Sequence, residues 1–145
     1  MTNMNMRQGQ KVIPVHPNLF TIPSSPEEKA HLLASKCKHC GETMFPSQKT
    51  CPNCSSIELD IIKLDRRGRI VKSTVLRHPP QLYKGTIPYV IAEVELPGGV
   101  PVPTIIRGWD ADTAPPYGLE VELDLEKFEV DDAGNEVLMY IFRPL

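Results

Sequence analysis

Apolar and polar residues alternate with period two through much of the second half of the chain. Val90, Ala92, Val94 and Leu96 alternate with Glu93 and Glu95, and Leu119, Val121, Leu123 and Leu125 alternate with Glu120, Glu122 and Asp124. Such alternation marks a strand with one buried and one solvated face, so strands are predicted over 89–96 and 119–125. Residues 70–76 are β-rich, and 137–142 form a continuous apolar run that suits a strand buried on both faces. Phe128 and Val130 have the opposite parity to Leu125, which predicts a bulge or strand end at Lys127-Phe128. Pro101 and Pro103 withhold their donors on the same side, which confines V-P-V-P-T-I-I to an edge strand. Pro97-Gly98-Gly99 and the stretch 131–135 read as hairpin turns. Strands at this spacing across 61–145, without a helical period, predict a small antiparallel barrel, whose commonest five-stranded form is the OB-fold.

The first part of the chain carries no such alternation. Residues 1 to about 22 mix methionines, polar residues, Pro14 and Pro17, and read as an irregular arm, bounded at 1–24. Ser25, Pro26 and Glu28 compose a helix-start signal: a cap, a proline suited to the first helical position and the acid of an S-x-x-E box. A short helix ending near Lys36 is expected, with Leu32 and Leu33 as its main apolar residues. From 37 to about 60 there is no apolar period of either kind, so cross-linking must hold that stretch. The domains expected are thus the arm at 1–24, helix and ribbon at 25–60, and barrel at 61–145.

The cross-link is legible in C-K-H-C-G and C-P-N-C-S-S. Cys37, Cys40, Cys51 and Cys54 form two C-x-x-C pairs, each placing two thiolates on one knuckle, and two facing knuckles make a tetrahedral four-sulfur cage for zinc. Gly41 follows the first pair where a knuckle favours glycine; Ser55 in the equivalent place is a mild departure. A structural site of this type contributes roughly 10–16 kcal/mol of apparent binding energy, which a segment too short for its own core requires. A rubredoxin-type iron site uses similar knuckles and stays open as the alternative metal. A thioredoxin-like redox pair would need a C-x-x-C at a helix start inside a βαβ unit, which neither pair has. His39 lies inside the first pair, but four sulfurs already fill the shell.

A closed cage leaves no cysteine as a nucleophile. The chain also has no G-x-S-x-G, P-loop, G-x-G-x-x-G or H-E-x-x-H motif. His16, His31 and His78 stand far apart and read as surface residues. Composition is that of an ordinary globular chain, 41% hydrophobic and 23% charged with net charge -2, and no apolar run approaches a membrane span. The N-terminal residues lack the pattern of a secretory signal, so a cytoplasmic location, with reduced thiols, is expected. Lys63, Arg66, Arg67, Arg69 and Lys72 face one acid, Asp65, whereas 119–136 carry eight acids against Lys127. That basic strip suits a phosphate-bearing ligand such as the nucleotide end of coenzyme A, a salt-bridged partner, or plain solvation. With 6% aromatics and a net acidic charge, a single-strand nucleic-acid groove is the weaker reading, and Tyr83, Tyr89 and Trp109 read as packing residues.

The text L-L-A-S-K-C-K-H-C-G, F-P before C-P-N-C, R-G-R-I-V-K-S-T-V, P-Y-V-I-A-E-V-E-L-P-G-G, G-L-E-V-E-L and Y-I-F-R-P, spanning about 26–145, resembles the DUF35 family. The resemblance implies an N-terminal helix, a rubredoxin-like zinc ribbon and a C-terminal OB-fold. It further implies a non-catalytic accessory subunit of a thiolase-type complex acting on a β-ketoacyl-CoA, for example of the benzoylsuccinyl-CoA thiolase type. Such a subunit supports the thiolase and helps shape its CoA channel, with a CoA thioester at the shared interface. Pro88 and Tyr89 join Arg66, Arg67, Arg69 and Lys72 as candidate CoA- or partner-binding residues. A free-standing acyl-CoA binding module and a single-strand nucleic-acid-binding OB protein are the alternatives.

Overall fold

A computed structural model describes residues 12–16, 18–25, 27–78 and 87–145. Its strands are β1 (Val12–Pro14), β2 (Leu33–Cys37), β3 (Thr43–Met44), β4 (Leu59–Lys63), β5 (Arg67–Leu76), β6 (Tyr89–Leu96), β7 (Val100–Ile106), β8 (Glu120–Val130) and β9 (Glu136–Pro144). The period-two segments form the long strands. β5 pairs antiparallel with β6, β6 with β7, β8 with β9, and β8 closes back onto β5, while β9 meets β7 in parallel at Phe142 and Ile106. The result is a closed five-stranded OB-like barrel. Its interior holds the alternating residues read from the sequence, Val90, Ala92, Val94, Leu96, Val121 and Leu123, all buried, with Val102, Ile70 and Phe142 beside them.

The irregular features fall where parity placed them. Val137 pairs with Glu129 but Leu138 with Lys127, which leaves Phe128 as the extra residue of a bulge. β7 pairs along its length with β6 and touches β9 at one end only, so Pro101 and Pro103 turn their missing donors to an open edge. On β5, Gly68 lies against β6 so closely that a Cβ there would sit 2.6 Å from the Glu95 carbonyl oxygen.

Two expectations for the N-terminal part are corrected. No helix is present among the described residues. The stretch expected to be helical runs as a turn and then as β2, with Leu32 and Ala34 fully buried. Glu28 takes the Ser24 N–H and hydroxyl at 3.4 and 2.9 Å, so the box residues close a local turn instead of starting a helix; Pro26 lies outside the described residues. The backbone of β2 finds partners on both sides, in β4 and β3, and such tertiary pairing outweighs a local capping signal. Nor is the described part of the expected arm wholly irregular. β1 pairs in parallel with Glu136, Val137 and Leu138 of β9, Leu19 and Phe20 are buried, and Phe20 bridges to Leu32.

The three-stranded ribbon sheet, in the order β3-β2-β4, shares one core with the barrel through Leu32, Ala34 and Leu64. Tyr140 is the junction: Phe20 and Phe45 meet its ring edge-on at centroid distances of 6.4 and 5.7 Å, and its hydroxyl donates to the Pro103 carbonyl at 2.6 Å. No helix of the described residues is long and apolar enough to cross a membrane.

Candidate metal centre

The two knuckles are built alike. After Cys37 the chain turns so that the Gly41 N–H reaches the Cys37 carbonyl at 3.0 Å; after Cys51 the Ser55 N–H reaches the Cys51 carbonyl at 2.8 Å. Both turns require a left-handed residue, and Gly41 and Ser55 supply it with φ of 80° and 65°. The glycine is there for its φ and not for space, since a Cβ at Gly41 would meet nothing within 4 Å. Amides aim at sulfur inside the first knuckle: His39 N–H and Cys40 N–H lie 3.3 and 3.4 Å from Cys37 Sγ. Asn53, a residue the sequence reading passed over, donates from Nδ2 to Cys40 Sγ at 3.5 Å. His39 is exposed and serves through its backbone.

All four sulfurs lie within 4.8 Å of one another, with Cys37–Cys54 and Cys40–Cys51 both at 3.6 Å. A tetrahedron with metal–sulfur bonds of about 2.3 Å has edges of about 3.8 Å, so the cage has the size of one ion. Its electrostatics point the same way. The amides of Cys40 and His39 pull the Cys37 thiol down to about 6, and the Asn53 amide and the Glu42 backbone lower Cys40. At Cys54 the Ser56 amide pulls downward, but burial and the neighbouring sulfurs outweigh it and hold the thiol high. Four thiolates this close repel one another, and a cation at their centre is what lets all of them ionise. The donor set therefore fits a closed structural metal site, held by Cys37, Cys40, Cys51 and Cys54.

The basic strip does not come together as one site. Arg66 leaves it: its Nη1 and Nη2 donate to the carbonyls of Ala30 and Leu123 at 2.5 and 2.8 Å, while its Nε is buried 3.6 Å from the Glu122 carboxylate. Arg66 thus ties the segment leading into the ribbon to the barrel wall. Tyr89, grouped with the strip as a candidate, is buried at 5% exposure at the start of β6, as its packing reading expects. Arg67, Arg69 and Lys72 point outward from β5, where Arg67 lies 3.8 Å from Glu122 and Arg69 2.9 Å from Glu95 with its guanidinium over the Tyr117 ring. Lys72 borders an apolar groove of about 570 Å³ walled by Ile91, Pro103, Ile105 and Met139. Pro88 is half-buried just before β6. Of the histidines, His16 and His78 are exposed, but His31 is half-buried with Nδ1 2.9 Å from the Leu64 carbonyl oxygen, which corrects its surface reading. Tyr83 lies outside the described residues.

Comparison with known proteins follows the same division. Residues 29–60 match the family described as ChsH2, rubredoxin-like zinc ribbon domain, and residues 62–126 match ChsH2, C-terminal OB-fold domain. A DUF35 domain-containing scaffold protein of Methanothermobacter thermautotrophicus is 34% identical over 117 residues, covering 80% of this chain and 86% of its own. The benzoylsuccinyl-CoA thiolase subunit BbsA of Geobacter metallireducens is 28% identical over 136 residues, covering 90% of this chain and 85% of its own. Among solved structures, the Ltp2-ChsH2(DUF35) aldolase includes a chain 30% identical with a TM-score of 0.63, over 79% of this chain and 84% of that one. By its paired domains and its relatives across most of their length, this chain belongs to the DUF35 family.

Proposed function

We propose that this protein is a non-catalytic accessory subunit of a thiolase- or aldolase-type complex that forms or cleaves a β-ketoacyl-CoA in the cytoplasm. The observation that carries the reading is the convergence of all four thiols on one point. Acyl transfer of the thiolase kind needs a nucleophilic cysteine, and a chain whose every cysteine holds a metal must leave that step to its partner. Relatives named as a benzoylsuccinyl-CoA thiolase subunit and as part of an aldolase assembly support the choice of partner. The ion is zinc, in a structural role, as the ribbon family's description favours.

In this reading the ribbon and barrel, joined by a shared core, form a rigid body that supports the enzyme. Arg67, Arg69 and Lys72 face outward on β5. In this proposal they, with Pro88, are the residues that would meet a CoA phosphate or an acidic strip of the partner at a shared interface. The test is reconstitution: the protein is co-expressed with the thiolase-type enzyme of the same organism, and each is assayed alone and together with β-ketoacyl-CoA substrates. Co-purification and activity of the pair well above that of the enzyme alone are expected. An enzyme fully active alone that never co-purifies with this chain would overturn the proposal.

A further inference from the structure

The four ligands of the metal cage are held unequally. Cys37 and Cys51 are buried and Cys54 is half-buried, whereas Cys40 is exposed. The Cys37 sulfur accepts two backbone amides, from His39 and Cys40. Beyond Cys40 the chain turns through Gly41 into open space, where an added Cβ would meet nothing within 4 Å. A chelator or an electrophile arriving from solvent therefore meets the cage first at Cys40, since the reactivity of a cysteine follows its exposure as well as its charge.

The group that stands beside that corner is Asn53. Its Nδ2 donates to Cys40 Sγ at 3.5 Å, and among the described residues it is the one side chain outside the cysteines that bonds to a cage sulfur. Asn53 belongs to the second knuckle, C-P-N-C, whereas Cys40 lies in the first, so the bond joins the two halves of the cage across thirteen residues of sequence. The turns that shape each knuckle, from Gly41 to Cys37 and from Ser55 to Cys51, stay within it. An amide N–H bonded to an anionic sulfur draws charge from it, which weakens its attack on electrophiles, and fixes the direction in which the sulfur meets the ion. Alanine at this position would leave the sulfur to water, and aspartate would set a carboxylate oxygen against it.

We propose that Asn53 is a positioning residue of the metal centre: it ties the solvent-facing Cys40 sulfur to the second knuckle and so sets how fast that ligand releases the ion and reacts with electrophiles. Groups that bond to metal-ligating atoms typically account for about 10–100-fold in metal affinity. Asn53 is itself exposed, so water competes for the same sulfur and the effect belongs at the lower end of that range, about tenfold. This role rests on the metal-bound reading of the cage, and adds to it which of the four ligands is the first to let go.

The test times metal release and locates the first thiol to be freed. The zinc-loaded full chain, Asn53→Ala and Asn53→Asp are each mixed with excess colorimetric chelator and iodoacetamide, and the singly alkylated fraction is mapped by mass spectrometry early in the reaction. Release about tenfold faster than wild type is expected for Asn53→Ala and at least as fast for Asn53→Asp, with the first label on Cys40 in all three. Asn53→Asp is the decisive variant, because it keeps the size and shape of the side chain while turning its donor into a carboxylate oxygen. Metal content and circular dichroism equal to wild type at the start confirm that both variants fold. A ribbon merely loosened by substitution would spread the first label over all four cysteines. That spread, equal release rates in the three proteins, or Asn53→Asp matching wild type would each overturn the inference and leave the metal reading intact. A wild-type chain that takes up no metal would overturn both.

Discussion

Arg66 and Arg67 are adjacent residues of one type, yet the structure gives them different surroundings. The Arg66 side chain is 18% exposed and donates to two backbone carbonyls, of Ala30 and Leu123, with the Glu122 carboxylate 3.6 Å from its Nε. Hydrogen bonds from a charged donor contribute about 1.5–3 kcal/mol each, and removal leaves both carbonyls short of a partner. Allowing for partial solvent access, Arg66→Ala is expected to cost about 2–4 kcal/mol. The Arg67 side chain is 69% exposed and touches Glu122 at 3.8 Å. A surface pair of that kind contributes about 0–1 kcal/mol, so Arg67→Ala is expected to be nearly neutral. For a chain of this size, 1 kcal/mol shifts Tm by roughly 2–4 °C, so Arg66→Ala should melt about 4–16 °C lower. Urea unfolding of both variants with the metal retained gives the comparison. Equal stability of the two would refute the assignment of Arg66 as a tie between ribbon and barrel.

Three other substitutions follow from the same structure. Gly68→Ala places a Cβ 2.6 Å from the Glu95 carbonyl oxygen and 2.8 Å from the Leu96 and Val94 side chains, so it should cost about 1–3 kcal/mol in a melting experiment; unchanged Tm would contradict the close approach of β5 to β6. Ser55→Gly should stabilise by up to about 1 kcal/mol and Gly41→Ala destabilise by a similar amount, because both positions have positive φ; opposite signs of ΔTm are the check. Burial raises the Tyr140 phenol to about 12, above the value of about 10 for an unfolded tyrosine. The folded state thus holds this proton more tightly: the contribution is complete below pH 10 and is lost as pH rises from about 10 to 12. Tyr140→Phe should remove that alkaline slope and cost about 1 kcal/mol at neutral pH through the unpaired Pro103 carbonyl, both measurable by denaturation at a series of pH values.

The barrel was legible because each strand carries its own evidence. Alternation fixes which of Val90 to Leu96 face inward whatever the partner strand is, and a parity break marks Phe128 as a bulge without knowledge of β9. The metal centre was legible for the same reason, since each C-x-x-C is a local unit. What failed depended on partners distant in sequence. Ser24 to Glu28 carries real capping chemistry, but the same carboxylate closes a turn equally well, and β4 decides the outcome by pairing with residues 33–37. β1 is too short to show a period, and its pairing with β9 joins opposite ends of the chain. The adjacent apolar pair Leu19-Phe20, both buried, was the available sign that this part is not an arm. Charge patterning put Arg66 with its neighbours; only the carbonyls of Ala30 and Leu123, brought from two other segments, distinguish it.

The central claim, that every thiol of this chain is committed to a metal and none to catalysis, is tested most directly by native mass spectrometry with thiol labelling on protein purified without chelators. One bound metal ion per chain and no alkylation under native conditions are expected, with four cysteines alkylated once the chain is unfolded in chelator. When the chain is quenched during turnover with its enzyme and an acyl-CoA, the acyl group should be found on the enzyme alone. A folded chain lacking metal, with one of Cys37, Cys40, Cys51 or Cys54 carrying the acyl group, would contradict the account.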